Sequence, residues 1–360
     1  MLKIDDVRPA AQLTENTTRS DLLGVAVVGT GYWGPNLVRN FASVPEMDLR
    51  WVCDLDRSRA DGVVGRYSRI GTTDRLDEIL DDPAVDAVAI ATPAATHSGL
   101  IERCLQAGRH VLVEKPLALR AADAERLVAI AHRAGLVLMC DHTYCYTPAV
   151  AELRRLLHSG EVGEVQFIDS VRINLGLVQP DADVLWDLAP HDLSILENVL
   201  PPGIVPVSVS AHGSDPIGAG KACVAYLSLQ LSNGGIAHIH INWLSPIKVR
   251  TVIVGGSRRM VVWDDLNPSQ RLTVYDRGVD LEVGDTTARR VSYRSGDMQA
   301  PALPEREALR GVAVEFLRSI RQGTAPLTDG RSGLRVLRVL EAASRSLAEM
   351  GREIPLEGTW

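Results

Sequence analysis

The stretch Leu23-Gly-Val-Ala-Val-Val-Gly-Thr-Gly-Tyr-Trp-Gly-Pro-Asn-Leu-Val-Arg39 decides the fold of this chain. Its apolar run at 25–28 predicts a buried parallel strand. The glycines that follow (Gly29, Gly31 and Gly34) form the pattern G-x-G-x-x-G, and apolar residues continue after them at helical spacing. A strand, this glycine pattern and a helix, in that order, predict a turn where a diphosphate rests on backbone amides at the start of the helix.

An acidic residue stands 20 residues after the last of those glycines, at Asp54. Residues 49–54 predict a second strand that ends on this residue. In a dinucleotide-binding fold, such a carboxylate accepts hydrogen bonds from the adenosine ribose hydroxyls and repels a 2′-phosphate. The sequence therefore predicts NAD rather than NADP, a preference that Arg57 and Arg59 soften. The alternative is that Asp54 merely ends a strand.

Length and composition describe an ordinary globular protein. A chain of 360 residues with 46% hydrophobic and 23% charged residues suits about two domains. The net charge of −7, without a basic cluster, argues against a nucleic-acid partner. The five cysteines lack metal-ligand spacing, so we expect free thiols, no bound metal and a cytoplasmic location. No apolar run has the roughly 20 residues of a membrane span, and residues 1–22 read as a polar extension without a secretory signal.

The first half of the chain alternates strands and helices. Further strands are predicted at 84–91, 110–114 and 136–140, with helices near 58–67 and at 76–80, 98–107 and 121–134. Short connections between alternating elements predict a doubly wound parallel sheet in an α/β domain over 23–147. Ligands of such sheets bind at the carboxyl ends of the strands.

The pattern changes near residue 148. A helix is predicted at 149–158 and two more at 305–322 and 331–350. Strands are predicted at 165–174, 205–211, 222–231, 236–243, 249–254, 260–263 and 272–275. They predict, for 148–360, an α+β domain with a large, mostly antiparallel open sheet. The last helix is a candidate to pack back on the first domain. An uncovered face on so large a sheet favours a homodimer or homotetramer.

Lys115 is the first candidate for chemistry. It follows Glu114 at a strand end and precedes Pro116. A lysine aimed from there into the cleft can hydrogen-bond a substrate hydroxyl and stabilise the oxygen as it becomes a carbonyl. The alternative is a surface lysine on a turn.

Asp187 and His191 are the second candidates, because residues four apart share one face of a helix. Pro190 is best tolerated in a first turn, which predicts that both lie near the start of a helix, at the mouth of a cleft. A histidine can accept a hydroxyl proton while hydride leaves the carbon, and the carboxylate can orient the imidazole or the substrate. The alternative is a capping aspartate beside a buried histidine. Asp192 is expected to be solvated or capping.

Other histidines and a tyrosine receive simpler interpretations. His238 and His240 alternate with isoleucines and so share one sheet face, but no third ligand suggests a metal. His142 and Tyr144 follow the last strand of the first domain and are expected to line the cleft.

From Leu23 to Gly351 the chain resembles the Gfo/Idh/MocA family of NAD(P)-dependent oxidoreductases. The resemblance implies a Rossmann domain followed by a domain whose sheet mediates dimers or tetramers. It also implies hydride transfer between nicotinamide and a secondary alcohol of a sugar or cyclitol. The motifs that carry it are the glycine pattern, Ala91-Thr-Pro followed by His97, Glu114-Lys-Pro116, Asp187-x-x-x-His191 and Asn242-Trp-Leu-Ser-Pro246.

The resemblance implies that Lys115 and His191 are catalytic and that Asp187 supports them. These three residues and Tyr144 are the predicted substrate contacts. The predicted cofactor-binding residues are Gly29, Thr30, Gly31, Tyr32, Trp33, Gly34, Asp54, Thr92, Pro93, His97, Glu114 and Lys115.

Two departures from the family pattern concern substrate contacts. Cys145-Tyr146 stands where many relatives carry an Arg-aromatic pair, and Pro190 stands where glycine is frequent. The Gly-Tyr-Trp-Gly-Pro-Asn and Trp-Asp-Leu-Ala-Pro-His forms look like a branch that acts on nucleotide sugars, often at the C3 hydroxyl. We therefore predict an NAD-dependent sugar dehydrogenase or ketoreductase. The alternatives are a free cyclitol dehydrogenase and a non-catalytic NAD-binding regulator.

Overall fold

The computed structural model describes residues 22–65, 68–283, 289–356 and 358. The predicted extension up to position 21 and the end of the predicted helix near 58–67, at 66–67, lie outside the described residues. Six parallel strands build the first sheet. They are β1 (Leu23–Val28), β2 (Met47–Cys53), β3 (Gly71–Thr73), β4 (Ala87–Ile90), β5 (His110–Glu114) and β6 (Leu138–Asp141).

The strand order of the first sheet is β3-β2-β1-β4-β5-β6. The order reverses between β1 and β4, which opens a crevice at the carboxyl ends of these strands where dinucleotides bind. This confirms the predicted doubly wound parallel sheet. Its helices are α1 (Gly34–Ala42), α2 (Arg57–Val64), α3 (Leu76–Leu80), α4 (His97–Gln106) and α5 (Ala121–Ala134).

Nine strands build the second sheet, in the order β14-β13-β12-β11-β7-β10-β9-β8-β15. All neighbours pair antiparallel except β7 and β10, which confirms the predicted mostly antiparallel sheet. The strands are β7 (Val165–Leu175), β8 (Pro206–Ser214), β9 (Val224–Leu231), β10 (Ile236–Asn242), β11 (Leu244–Gly256), β12 (Met260–Asp264), β13 (Leu272–Val283), β14 (Arg289–Gln299) and β15 (Ile354–Pro355).

The remaining helices are α6 (Pro148–His158), α7 (Val184–Val199), α8 (Ala308–Gln322) and α9 (Gly330–Ala348). Helices α6, α7 and α9 cover one face of the second sheet. On that face Leu227 and Ile239 are fully buried, whereas Tyr226 and Ile236 on the other face are exposed. Because successive side chains of a strand point to opposite faces, the buried apolar residues form a core on one face of the sheet only. None of the helices in the described part is both long and apolar enough to span a membrane.

Helix α7 begins earlier than the sequence suggested. Pro190 lies inside the helix rather than in its first turn, so its predicted position was wrong, whereas Asp187 lies in the first turn, near the helix start as predicted. The reason is Asp183, whose side chain accepts a hydrogen bond from the amide of Trp186 at 2.9 Å and caps the helix one turn before Asp187. Proline at 190 supplies no amide to the carbonyl one turn before it.

The two C-terminal helices return to the first sheet. Helix α8 packs on α1, and α9 packs on α5 and β6. Phe316 of α8 is fully buried in one cluster with Leu37 and Phe41 of α1. The first sheet therefore owes part of its core to residues nearly at the end of the chain.

We expect Phe316→Ala to lower the free energy of unfolding by about 3–5 kcal/mol, because it leaves a cavity beside α1. Val314→Ala on the same helix is the matched control, since Val314 is 45% exposed and its loss should cost well under 1 kcal/mol, roughly the surface value. Urea unfolding followed by circular dichroism measures both. Equal losses for the two variants would contradict the assigned packing of α8.

Candidate active site

Each glycine of the G-x-G-x-x-G turn has a distinct geometric role. Gly29 adopts φ 96°, and a Cβ there would lie 2.7 Å from the Ala91 carbonyl. A Cβ on Gly34 would lie 2.0 Å from the Gly29 oxygen, so the glycine allows the helix to approach the turn closely. A Cβ on Gly31 would meet no atom within 4 Å. The open space at Gly31, beside the start of α1, fits a diphosphate.

Asp54 is held ionised beside this turn. Its Oδ2 accepts from the Thr30 amide at 2.8 Å and the Thr30 hydroxyl at 2.7 Å, and its Oδ1 accepts from the Asp56 amide at 3.0 Å. Burial alone would raise the pKa of this carboxyl, but these hydrogen bonds outweigh burial and hold the pKa below its usual value. The carboxylate is therefore charged where a ribose would lie. Tyr32, at the tip of the turn, is 93% exposed.

His97 lies beneath the groove rather than in it. It is 1% exposed, and its ring nitrogens lie 2.8 Å from the carbonyl oxygens of Thr92 and Pro116. The Thr92 hydroxyl pairs with that of Thr96 at 2.6 Å. The imidazole thus braces the loop after β4 against the turn after β5, which carries Lys115.

Glu114 and Asp141 form a buried carboxyl pair. They are register partners on β5 and β6, and neither Glu114 Oε1 nor Asp141 Oδ2 has a donor among the described residues. The pKa of Glu114 is raised well above its usual value, first by burial and then by the charge of Asp141. Burial raises the pKa of Asp141 as well. A single proton shared between the two groups satisfies both oxygens.

The side chain of Lys115 reaches from the end of β5 in the first sheet to α7. The peptide bond between Lys115 and Pro116 is cis. Lys115 Nζ donates to the backbone oxygen of Asp187 at 2.9 Å and lies 3.4 Å from the carboxylate Oδ1. Asp187 Oδ2 accepts from the indole nitrogen of Trp243 at 3.0 Å. The carboxylate thus positions the lysine. Trp243 was missed as a site residue, although it lies in the quoted Asn242-Trp-Leu-Ser-Pro246 motif.

His191 lies one turn further along α7, and its Nδ1 is buried without a partner among the described residues. Burial, followed by the positive charge of Lys115, lowers the pKa of this imidazole well below its usual value. The ring is therefore neutral near pH 7 and can accept a proton. The ring of Tyr144 meets it edge-on, with centroids 5.1 Å apart.

Asp192 does not behave as expected. It is 3% exposed and accepts hydrogen bonds from Arg172 and Ser170 of β7, so the prediction of a solvated or capping residue was wrong. One step along a helix turns the side chain by about 100°, and this turn points Asp192 to the sheet while His191 faces the cleft. Sequence spacing gave no sign of Arg172.

His142 is buried behind Lys115, and both of its ring nitrogens lack a partner among the described residues. Burial, with a smaller contribution from Lys115, lowers the pKa of His142 to about 3. His238 and His240 share a sheet face as predicted, where they stack on Tyr226. The described residues contain no group of three or more His, Cys, Asp or Glu side chains able to hold a metal.

The arrangement suits hydride transfer coupled to proton transfer. A dinucleotide cradle runs along the carboxyl edge of the first sheet, and an ammonium and a neutral imidazole meet at its end. The ammonium can stabilise a developing alkoxide while the imidazole takes its proton.

Comparisons with known proteins agree with this geometry. Residues 23–142 match a GFO/IDH/MocA model described as "Oxidoreductase family, NAD-binding Rossmann fold", and residues 150–262 match the GFO/IDH/MocA C-terminal domain. The chain is 30% identical over 314 residues to the UDP-N-acetylglucosamine 3-dehydrogenase of Acidithiobacillus ferrooxidans, covering 86% of this chain and 93% of that protein. The solved structure of that dehydrogenase superposes with a TM-score of 0.76 at 27% identity, covering 91% of this chain and 98% of the other.

Two further proteins are similar over most of their length. The structure of GenD2 from gentamicin A biosynthesis, in complex with NAD, has a TM-score of 0.78 at 26% identity and covers 96% of this chain and 100% of its own. The dTDP-3,4-didehydro-2,6-dideoxy-alpha-D-glucose 3-reductase of Saccharopolyspora spinosa is 26% identical, covering 81% of this chain and 86% of that protein. The cofactor is NAD, which the open space at Gly31 and the ionised Asp54 fit.

Gly31→Ala should leave the unfolding temperature unchanged and weaken NADH binding at least about tenfold. Its Cβ meets open space in the protein but occupies the approach of the diphosphate. Gly99→Ala in α4, whose Cβ also meets no atom, is the control and should change neither property for the worse. Fluorescence titration and thermal unfolding measure both. NADH affinity equal to that of the parent protein in Gly31→Ala would contradict the assigned cradle.

The neutral, buried His142 should make the protein acid-sensitive. Its pKa of about 3 in the folded state lies below the value of about 6.5 in the unfolded chain. The unfolded state therefore binds the proton first, so this stability is present above about pH 6.5 and is lost as the pH falls towards 3. The full effect is on the order of 5 kcal/mol. In urea titrations at successive pH values, His142→Asn should flatten that loss, whereas the exposed His132→Asn should not. If the free energy of unfolding fell with pH in parallel in the parent protein and in both variants, the role assigned to His142 would be refuted.

Proposed function

Since this chain belongs to the Gfo/Idh/MocA family of NAD-dependent oxidoreductases, we propose that it transfers a hydride between nicotinamide and a secondary hydroxyl or keto carbon of a sugar. The substrate we propose is a nucleotide sugar that reacts at C3, as in amino- or deoxysugar formation. The Acidithiobacillus and Saccharopolyspora relatives are named as a 3-dehydrogenase and a 3-reductase of nucleotide sugars, which supports that choice of carbon and of substrate class.

The observation that carries the proposal is the contact between Lys115 and Asp187. An Nζ-to-carbonyl distance of 2.9 Å brings the end of β5 to within one helical turn of His191. A regulator that only binds NAD needs the glycine turn and Asp54 but not an ammonium and an imidazole from separate sheets at one cleft. The contact thus favours an enzyme over a sensor.

The proposed roles follow from the geometry. When bound, NAD accepts or returns the hydride. Lys115 donates a hydrogen bond to the substrate oxygen, and His191 takes the hydroxyl proton during oxidation or returns it during reduction. Asp187 holds the lysine in place, and Tyr144 lines the sugar side of the cleft. The residues proposed to hold or frame the cofactor are Gly29, Thr30, Gly31, Tyr32, Trp33, Gly34, Asp54, Thr92, Pro93, Glu114 and Lys115, with His97 acting from below as a brace.

We propose that residues 23–147 form the cofactor domain and that 148–360 form the substrate and oligomerisation domain. A homodimer or homotetramer through the uncovered face of the second sheet is the proposed assembly. The exposed Tyr226 and Ile236 on that face support it. A cytoplasmic location is proposed because all five cysteines are free thiols.

Lys115→Met should lower turnover by about 10²–10³-fold or more, because it removes the hydrogen-bond donor to the developing oxyanion. NADH affinity should fall far less than turnover, since the glycine turn and Asp54, which are proposed to hold the diphosphate and the ribose, are untouched. Arg133→Met on the exposed face of α5 is the control for loss of a positive charge. Turnover in Lys115→Met close to that of the parent protein would remove the lysine from the mechanism.

A substrate screen discriminates between the candidate functions. We expect NADH absorbance at neutral pH to rise with UDP- or dTDP-sugars and to remain flat with free myo-inositol. Turnover of the free cyclitol alone would identify a cyclitol dehydrogenase. Tight NAD binding without turnover of any sugar or cyclitol would favour the regulator.

A further inference from the structure

A buried ion pair lies directly behind the catalytic face of α7. Arg172 of β7 and Asp192 of α7 are 4% and 3% exposed. Arg172 Nε donates to Asp192 Oδ2 at 2.8 Å, and Nη2 donates to Oδ1 at 3.1 Å. The Ser170 hydroxyl donates to the same Oδ1 at 2.8 Å. Both carboxylate oxygens are thus satisfied, and the guanidinium is fixed in one orientation.

The fixed guanidinium supports the ring of Tyr144. Arg172 Cζ lies 4.4 Å from the Tyr144 ring centroid, within the range of a cation–π contact. The same ring meets His191 at 5.1 Å with an interplanar angle of 73°. Trp263 closes a third side of the ring at 6.2 Å. Tyr144 is therefore clamped between the ion pair and the imidazole.

These contacts form a closed ring of four residues, because Asp192 follows His191 directly in the same helix. It runs from Asp192 to Arg172, then to Tyr144, and back to His191. Buried ion pairs are seldom more stabilising than apolar side chains of the same volume, so stability alone does not account for this one. On the basis of the proposed function, we propose that Arg172, anchored by Asp192, is a positioning residue that sets the orientation of the His191 imidazole through the ring of Tyr144.

Besides its packing on Tyr144, Arg172 affects the pKa of His191 through its charge. The charged and titratable groups that act on His191 are Lys115, His142, Arg172 and Arg250 from other elements. The carboxylates nearest to it along its own helix are Asp187 and Asp192. Asp187 is paired with Lys115, and Asp192 is paired with Arg172. Burial is the main cause of the low pKa of His191, and the positive groups lower it further. Removal of Arg172 also leaves Asp192 unpaired beside the imidazole, so both effects raise that pKa.

The test compares three substitutions in the holoenzyme by the pH dependence of kcat/KM for oxidation. Arg172→Met should shift the acidic limb upward by roughly one pH unit and lower kcat about tenfold through misorientation. Arg172→Lys keeps the charge but not the planar stack, so the limb should stay in place while kcat recovers only in part. Asp192→Asn removes the negative charge and should shift the limb downward.

Arg335→Met is the matched control, because it breaks a guanidinium–carboxylate pair with Glu197 at the other end of α7, where Arg335 Nε lies 2.9 Å from Glu197 Oε1. It should lower the unfolding temperature without moving the pH profile. NADH affinity and circular dichroism confirm that each variant is folded.

An Arg172→Met profile that superposes on that of the parent protein would overturn the proposal. If Arg172→Met does not fold, the near-isosteric Asp192→Asn decides, and an unmoved or upward-shifted limb overturns it. If the parent protein oxidises no sugar or cyclitol, the proposed function fails. The His191 titration, followed by NMR in the NADH-bound protein, then tests the positioning role on its own, and an unchanged pKa in Asp192→Asn would refute it.

Discussion

One ammonium group joins the two sheets at the cleft. Lys115 stands at the end of β5 in the first sheet, and its Nζ donates to Asp187 on a helix that packs against the second sheet. The indole of Trp243 holds the other carboxylate oxygen of Asp187. This contact fixes the separation between the cofactor edge and His191. A misplacement of about 1 Å between reacting groups costs roughly 100-fold in rate, so the chemistry depends on a rigid connection here.

The site holds polar atoms that the protein itself leaves unsatisfied. Both nitrogens of His142 and Nδ1 of His191 are buried without a partner among the described residues. Each such atom costs about 1–3 kcal/mol, against a total stability of about 5–15 kcal/mol for a domain. Local rules are broken mainly where function requires it. The concentration of these atoms around Lys115, whose charge lowers the pKa of both imidazoles, is therefore independent support for a functional cleft.

The fold was predictable because its signals are local. The helix Ala121–Ala134 and the strand His110–Glu114 match the predicted ranges residue for residue. The helical period and Gly135 define the helix, and an apolar run that ends before Lys115-Pro116 defines the strand. Edge strand Gly71–Thr73 was missed because three polar or small residues show no period. Strand Arg289–Gln299, rich in arginine, likewise lacks apolar alternation.

Sequence motifs identified individual residues of the site but not the contacts between them. Lys115, Asp187 and His191 were identified from spacing and resemblance, but their mutual contacts were not. The error at Pro190 arose because a cap at Asp183 outweighed the preference of proline for a first turn. The error at Asp192 arose because its partner, Arg172, is 20 residues away in another element. Pairing across such a distance depends on how α7 sits on the sheet, which no local pattern encodes.

The electrostatics of the cleft limit what the imidazole can do in the proposed reaction. The two carboxylates that stand nearest His191 on its own helix already have cationic partners, Asp187 with Lys115 and Asp192 with Arg172. Neither of these two carboxylates is therefore left unpaired to stabilise an imidazolium, and the proton that His191 accepts is held only weakly. The same positive groups stabilise the substrate oxygen as its proton leaves. Because the same positive groups weaken the imidazole as a base and strengthen the substrate hydroxyl as an acid, these two effects on proton transfer offset each other, and the imidazole serves as a transient acceptor of the proton.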